Sequence, residues 1–226
     1  MSGKYFIDAD KFTIDKFRSI LKTKDVLPGR MMLIDKIDER FDLIKSKGIH
    51  SLSDLLKELK TKPKVEKFAK DTGLSVDYLT ILRREANSYF SVPLSLIDLP
   101  FLETGIIDKL HSAGIINSKQ LLDHAAKRID RGILANRYKL PQDKLYELVQ
   151  LSDLVRIPGV GPVFARIILD SGIGSVKDFL ALDSTDLFER LTKTNSENGL
   201  TKARFTIKDI EYCKELGKDL PFIFES

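Results

Sequence analysis

The pentapeptide Pro158-Gly159-Val160-Gly161-Pro162 is the stretch of this sequence best suited to chemistry that needs no reactive side chain. Glycine reaches positive φ at little cost, so glycines at 159 and 161 let the chain reverse within a few residues. Pro162 suits the first position of a following helix, where an amide hydrogen has no intrahelical partner. The amides of Gly159, Val160 and Gly161 would then gather at a helix start and form a concave anion site for a phosphate oxygen. The competing reading is a turn that only joins two packed helices.

Charged clusters are the next candidates. Lys57, Lys60, Lys62, Lys64, Lys67 and Lys70 form a run that Arg83 and Arg84 follow. Of these, Lys60, Lys62, Lys64, Lys67, Arg83 and Arg84 make a secondary basic surface along which a phosphate backbone could lie. Glu58, Glu66 and Asp71 interrupt the run, which favours an ordinary solvated face. A smaller cluster, Lys127, Arg128, Arg131, Arg137 and Lys139, reads the same way. Asp35, Asp38 and Asp42 share a helical spacing that would suit a metal-dependent nuclease, but nothing else converges on them, and a solvated acidic face is the better reading.

His50, His111 and His124 show no ligand spacing with Cys213 or with paired carboxylates, so structural roles are expected for them. The chain has no Gly-x-Ser-x-Gly, no Gly-Lys-Ser/Thr phosphate loop and no dinucleotide fingerprint. The expectation is a non-enzymatic protein without a metal site or an organic cofactor.

Composition narrows the class further. Hydrophobic residues make up 42% and charged residues 31% of the 226 positions, as in an ordinary globular protein with a buried core. No apolar run approaches the ~20 residues of a bilayer-spanning helix, and the Met1-Ser2-Gly3-Lys4 start lacks a signal-peptide core. One cysteine excludes an internal disulfide, and a reducing cytoplasm is the expected setting. The net charge of +4 is unevenly spread. Residues 1–92 carry 19 Lys/Arg against 14 Asp/Glu, residues 93–153 carry 8 of each, and residues 154–226 carry 10 against 11. The glycine turn therefore lies in the least basic third.

The elements that must position these residues are helical and repeated. Thr13 should cap a helix whose apolar face is Ile14, Phe17, Ile20 and Leu21, ended by a Leu27-Pro28-Gly29 turn. From residue 30, three units align on Gly48-Ile49, Gly114-Ile115 and Gly172-Ile173, at offsets of 66 and 58 residues. In each, the glycine should end one helix in a left-handed turn. Ser51/Asp54, Asn117/Gln120 and Ser175/Asp178 should then start the next.

Asp35-Lys36-Ile37-Asp38 and Pro100-Phe101-Leu102-Glu103 occupy the place of the glycine turn in the first two units and read as structural remnants. The third unit substitutes the polar connection LTKTNSENGLTKARF before a last helix, capped by Thr206 and Asp209, that runs to about Gly217. Such a period indicates one helical building block stacked several times, an all-α fold. The expected divisions are 1–29, 30–92, 93–153 and 154–226. Tyr5–Ile7 and Phe222–Phe224 are the only extended segments and could pair as a small terminal β-ribbon.

Gly159-Val160-Gly161, with Ala165 four residues on, resembles a helix-hairpin-helix motif. About residues 133–221 also resemble an uncharacterised bacterial helix-hairpin-helix domain of unknown function, through SDLVRIPGVG (152–161), SGIGSVKDFLALD and the close on Leu220-Pro221. The resemblance implies tandem helix-hairpin-helix repeats over about 30–217. It also implies sequence-independent contact with a DNA sugar-phosphate backbone through Gly159, Val160, Gly161 and Val163, with Arg166 nearby. Many DNA-binding members carry Lys or Arg where this chain has Val163. Some members hold a monovalent cation on hairpin carbonyls, a feature with no side-chain signature. The alternative is a protein-interaction or scaffold protein whose hairpins are architectural. A partner would then be DNA or another protein, and not a membrane.

Overall fold

Side-chain oxygens placed ahead of apolar runs do start helices in the computed structural model, which describes residues 5–24, 28–101 and 103–225. Thr13 accepts from the Lys16 amide at the head of α1 (Ile14–Thr23). A 3-10 turn, Pro28–Leu33, leads into α2 (Ile37–Ser46); Leu27 of the expected turn lies outside the described residues. Ser51 and Asp54 form a reciprocal capping box on α3 (Leu52–Glu58), and that hydroxyl contact holds the Asp54 carboxyl below its ordinary pKa. Then come α4 (Lys62–Thr72) and α5 (Val76–Asn87). These elements belong to a first compact unit, residues 7–90.

The second unit comprises Tyr5, Phe6 and the chain from Ser91 onward. After a 3-10 turn, Leu96–Asp98, it holds α6 (Thr104–Ser112), α7 (Ser118–Ala125), α8 (Arg128–Tyr138) and α9 (Gln142–Leu154). It continues through α10 (Pro162–Asp170), α11 (Val176–Ala181), α12 (Ser184–Asn198) and α13 (Ile207–Gly217). No helix among the described residues is long and apolar enough to cross a membrane.

The positions of these helices recur. Gly48, Gly114 and Gly172 all have positive φ, at 82°, 79° and 86°, and end α2, α6 and α10. At α6 and α10 the following isoleucine amide reaches back to a carbonyl five residues earlier, Ile115 to Leu110 and Ile173 to Ile168. The helices α4 and α8, and likewise α5 and α9, start 66 residues apart. Even the ends correspond: Gly73 closes α4 at φ 75°, and Lys139 closes α8 at φ 51°. The third set departs at α12, which is 15 residues long and is followed by the irregular stretch 200–206.

Within the first unit, Phe17 packs on Phe41 and Tyr89, and Phe12 on Tyr89, at ring separations of 5.3–5.8 Å. The acids Asp35, Asp38 and Asp42 are exposed to solvent and also ion-paired. Asp38 takes Lys22 at 2.6 Å, Asp42 takes Arg18 at 2.9 Å and Asp35 takes Arg40 at 2.8 Å. Arg18 and Lys22 on α1, and Arg40 on α2 itself, supply the opposite charges for acids whose spacing sequence alone left open to a metal. Among the described residues, no group of three or more His, Cys, Asp or Glu is placed to hold one. Glu85, with its side chain fully buried, is compensated by Lys24 and Arg30 at 2.6 and 2.5 Å.

In the first two helix sets, a short backbone exchange joins cap to cap. Leu52 N–H donates to Phe12 O and Ile14 N–H to His50 O; Ser118 N–H donates to Leu94 O and Leu96 N–H to Ile116 O. In the third set the equivalent first amide, Val176 N–H, donates instead to Oδ2 of buried Asp153 at 2.8 Å. The other Asp153 oxygen takes Arg156 Nη1 at 2.5 Å, and Arg156 is only 1% exposed. Arg156 Nε donates to Tyr5 O at 3.0 Å and Nη2 to Pro221 O at 2.7 Å.

This clamp overturns the expected terminal ribbon. Backbone carbonyls of both end segments accept from one guanidinium, and the only β-bridges among the described residues are the isolated ones Thr13–Ser51 and Ser95–Asn117.

Urea unfolding probes both the clamp and the left-handed end of α8. Asp153→Asn leaves the Arg156 cation buried without its counter-charge and should cost about 3–5 kcal/mol. Lys139→Gly relieves a left-handed residue that carries a β-carbon and should add roughly 0.5–1 kcal/mol. A midpoint unmoved by the first would show that the ion pair does not hold this unit.

Candidate functional site

The turn 158–162 is built from the buried end of α9. Leu154, Val155 and Ile157 are all at most 2% exposed, and Ile157 N–H closes on Leu154 O at 3.1 Å. Val160, 6% exposed, folds inward, and its amide donates to Ile157 O at 3.0 Å. That amide is used inside the turn, so Val160 offers no outward N–H.

The two glycines do different work. Gly159 has φ +90°, and a β-carbon there would lie 3.0 Å from Cys213 Sγ, so both conformation and space require glycine. Burial pushes the Cys213 thiol up to about 12, and it stands behind the turn as an inert apolar neighbour. Gly161 has φ −85° and is extended, and a β-carbon there would meet nothing within 4 Å. It is exposed, and the space above it is open. Its positive-φ freedom, expected from sequence, is not used.

Pro162 does occupy the first position of α10, and Ala165 is fully buried. Val163 is 44% exposed at the helix start. Arg166 is bound away by Glu147 at 2.5 Å and by Asp170, so its charge is compensated within the chain. Among the described residues, Gly159 and Gly161 amides have no backbone acceptor, and the first-turn amides of α10 have none by geometry. The Ile157 and Gly161 carbonyls already accept from Val160 and Ala165.

The corresponding helix starts make the contrast. None of α2, α6 and α10 has a side-chain cap. The first turn of α2 carries Asp38 and Glu39, which offset the positive end of the helix; α10 carries no acid there. At α2 the cap position is Lys36, at φ 47°, and at α6 it is Glu103; Leu102 lies outside the described residues. Of the three, α10 alone combines an acid-free first turn with a glycine at its cap.

One cation stands beside it that sequence reasoning missed. The 200–206 connection folds back so that Arg204 lines a hollow of about 300 Å³ with Gly159, Val163, Phe164, Phe205 and Asp209, whose carboxylate caps α13 through Thr206. Arg204 is exposed and has no ion-pair partner among the described residues. Nothing in the polar stretch LTKTNSENGLTKARF marks which of its basic residues returns to the turn 158–162, because the return depends on Phe205 packing on Phe164 and Phe188.

The secondary basic surface is partly consumed by local bonds. Arg83 donates to Leu59 O and Lys60 O, and Lys64 to Lys57 O. Lys62 pairs with Glu66 and Lys67 with Asp71. Lys60 and Arg84 remain exposed without an ion-pair partner among the described residues.

These placements can be set beside known proteins. Residues 105–216 match a family described as Domain of unknown function (DUF4332). The DUF4332 match begins in the first turn of α6, 28 residues before the start expected at 133, and ends within α13. It therefore contains the turn 158–162, Asp153, Arg156 and Arg204. No curated protein and no solved structure matches the chain.

Asp153 and Arg156 were also missed as a pair. Their signal was two opposite charges three residues apart inside the apolar run LVQLSDLVRIPGV.

The two glycines should separate in calorimetry. Gly159→Ala is strained in φ and meets sulfur, and should lower stability by about 1–3 kcal/mol. Gly161→Ala should stay within about 0.5 kcal/mol. Equal losses would show that the open space at Gly161 is filled.

Proposed function

We propose that the turn 158–162 and the start of α10 act as a helix-hairpin-helix contact for a nucleic-acid sugar-phosphate backbone, read without regard to sequence and without catalysis. The observation that carries this reading is the open helix start: Gly161 and Val163 exposed, no acid in the first turn, and Arg204 beside it. Amides at a helix start attract an anion through hydrogen bonding and the helix dipole together. The inward Val160 amide and the compensated Arg166 leave one cation and few donors, and Asp209 lines the same hollow as that cation, so the contact is weak and its partner must be abundant or tethered. A buried, protonated Cys213 is compatible with a cytoplasmic setting.

Duplex DNA binding followed by fluorescence anisotropy tests this. With one or two phosphate contacts, the slope of log affinity against log salt should be about −1 to −2. Val163→Glu places a carboxylate where the helix dipole favours it, so folding should be unharmed while DNA affinity falls at least ~10-fold. Arg204→Glu should fall similarly, and Gly161→Ala less. Binding that is steep in salt and indifferent to all three would move the contact to the surface around Lys60 and Arg84.

A further inference from the structure

The helix α8 exposes two large aliphatic side chains one turn apart, Ile129 at 77% and Ile133 at 61%. Between them Gly132 sits inside the helix with ordinary φ and nothing within 4 Å of a β-carbon, so neither backbone nor neighbours in this chain require it. A helix-interior glycine costs roughly 1 kcal/mol relative to alanine. Lys127 occupies the cap position with no cap bond, and Arg128 follows in the first turn, where the dipole disfavours a cation. Helix stability accounts for none of these choices.

The chain contains its own control in α4, which is α8 displaced by 66 residues. The buried positions correspond, Phe68 to Leu134 and Ala69 to Ala135. The exposed ones do not. Where α8 has Ile129, Gly132 and Ile133, α4 has Pro63, Glu66 and Lys67, and it uses Glu66 and Lys67 in ion pairs along the helix. The fold of the building block thus does not demand an apolar outer face.

The flanks of that face are mainly basic. Lys127, Arg128, Arg137 and Lys139 are exposed, and their side chains have no ion-pair partner among the described residues. Three acids share the region: Asp123, which pairs with Lys119 at 2.5 Å, Asp130, and Glu225, whose carboxylate accepts the Arg128 main-chain amide at 3.2 Å. Arg131, grouped with these bases by sequence, is buried against the rings of Tyr146 and Phe224 and bonds Ala125, Ala126 and Glu225 carbonyls, so it belongs to the scaffold.

We infer that the outer face of α8 docks an acidic amphipathic segment of a partner protein, with apolar side chains against Ile129 and Ile133 and carboxylates toward the flanking bases. Gly132 lets that segment approach closely. A phosphate backbone would satisfy the bases but would leave both isoleucines unburied. The inference is independent of the nucleic-acid reading at α10.

Panning the full chain against a display library of peptides of about 16 residues, roughly four helical turns, tests it, with the Ile129→Ser/Ile133→Ser chain used to deplete non-specific binders. Enriched peptides should be rich in Asp and Glu, with large apolar residues three or four apart. As synthetic peptides they should bind at least ~10-fold more weakly to Ile129→Ser/Ile133→Ser and to Arg137→Glu/Lys139→Glu, with thermal midpoints of both variants kept. The inference fails if nothing isoleucine-dependent is enriched, or if basic or uncharged peptides are. It also fails if duplex DNA displaces the peptides through the bases alone, or if sedimentation shows a second copy of the chain released by the isoleucine substitutions.

Discussion

The second unit depends on one buried ion pair. Two charges taken out of water cost several kcal/mol each, and their attraction offsets this only when the remaining donors and acceptors are also satisfied. Asp153 and Arg156 meet that condition through the surrounding chain. One carboxylate oxygen holds the first amide of α11, and the guanidinium holds backbone carbonyls at Tyr5 and Pro221. The pair is thus a junction of both end segments with α9 and α11. Tyr5 then extends the junction through its hydroxyl contact with Ser118, which also accepts the Leu94 amide.

That junction explains why the third helix set differs from the others. In the first two, an extended residue ahead of the set supplies a carbonyl to the N1 amide, from Phe12 or from Leu94. In the third, α9 runs directly into the turn and no extended strand-like residue is available, so a carboxylate takes over. A carboxylate in that place needs a cation, and Arg156 is the residue that can be both buried with it and next to Ile157. The geometry of the turn at 158–162 is inherited from this arrangement. Arg156 fixes the chain entering it, and Cys213 fixes Gly159 from behind.

Much of the helical architecture was legible in the sequence because it rests on local chemistry. Caps at Ser51, Asn117, Ser175 and Thr206, and glycines with positive φ at 48, 114 and 172, act within a few residues of themselves, so spacing alone reveals them. What was not legible depends on chain return. The β-ribbon failed because Arg156, more than 60 residues before Pro221 and 151 after Tyr5, captured both segments. The charge on Arg166 was visible, but its compensation by Glu147 across the turn was not. Arg204 reached the turn 158–162 through aromatic packing of Phe205, and Lys and Arg residues in a polar connection give no hint of that.

The same distinction bears on how one building block could acquire different uses. Positions that pack within the block stay apolar and buried, as Phe68/Leu134 and Ala69/Ala135 illustrate. Positions facing outward, and the cap positions of α2, α6 and α10, are not constrained by the block's own core. At those caps the chain has Lys36, Glu103 and Gly161. Lysine there holds a left-handed φ, glutamate adds a negative charge, and glycine leaves bare space over helical amides. An anion is repelled by the second and by the acids that follow the first. The three helix starts therefore differ physically in a few exposed groups. The glycine-ended helices that carry them are common to all three sets, while the cap residue itself takes a different conformation in each.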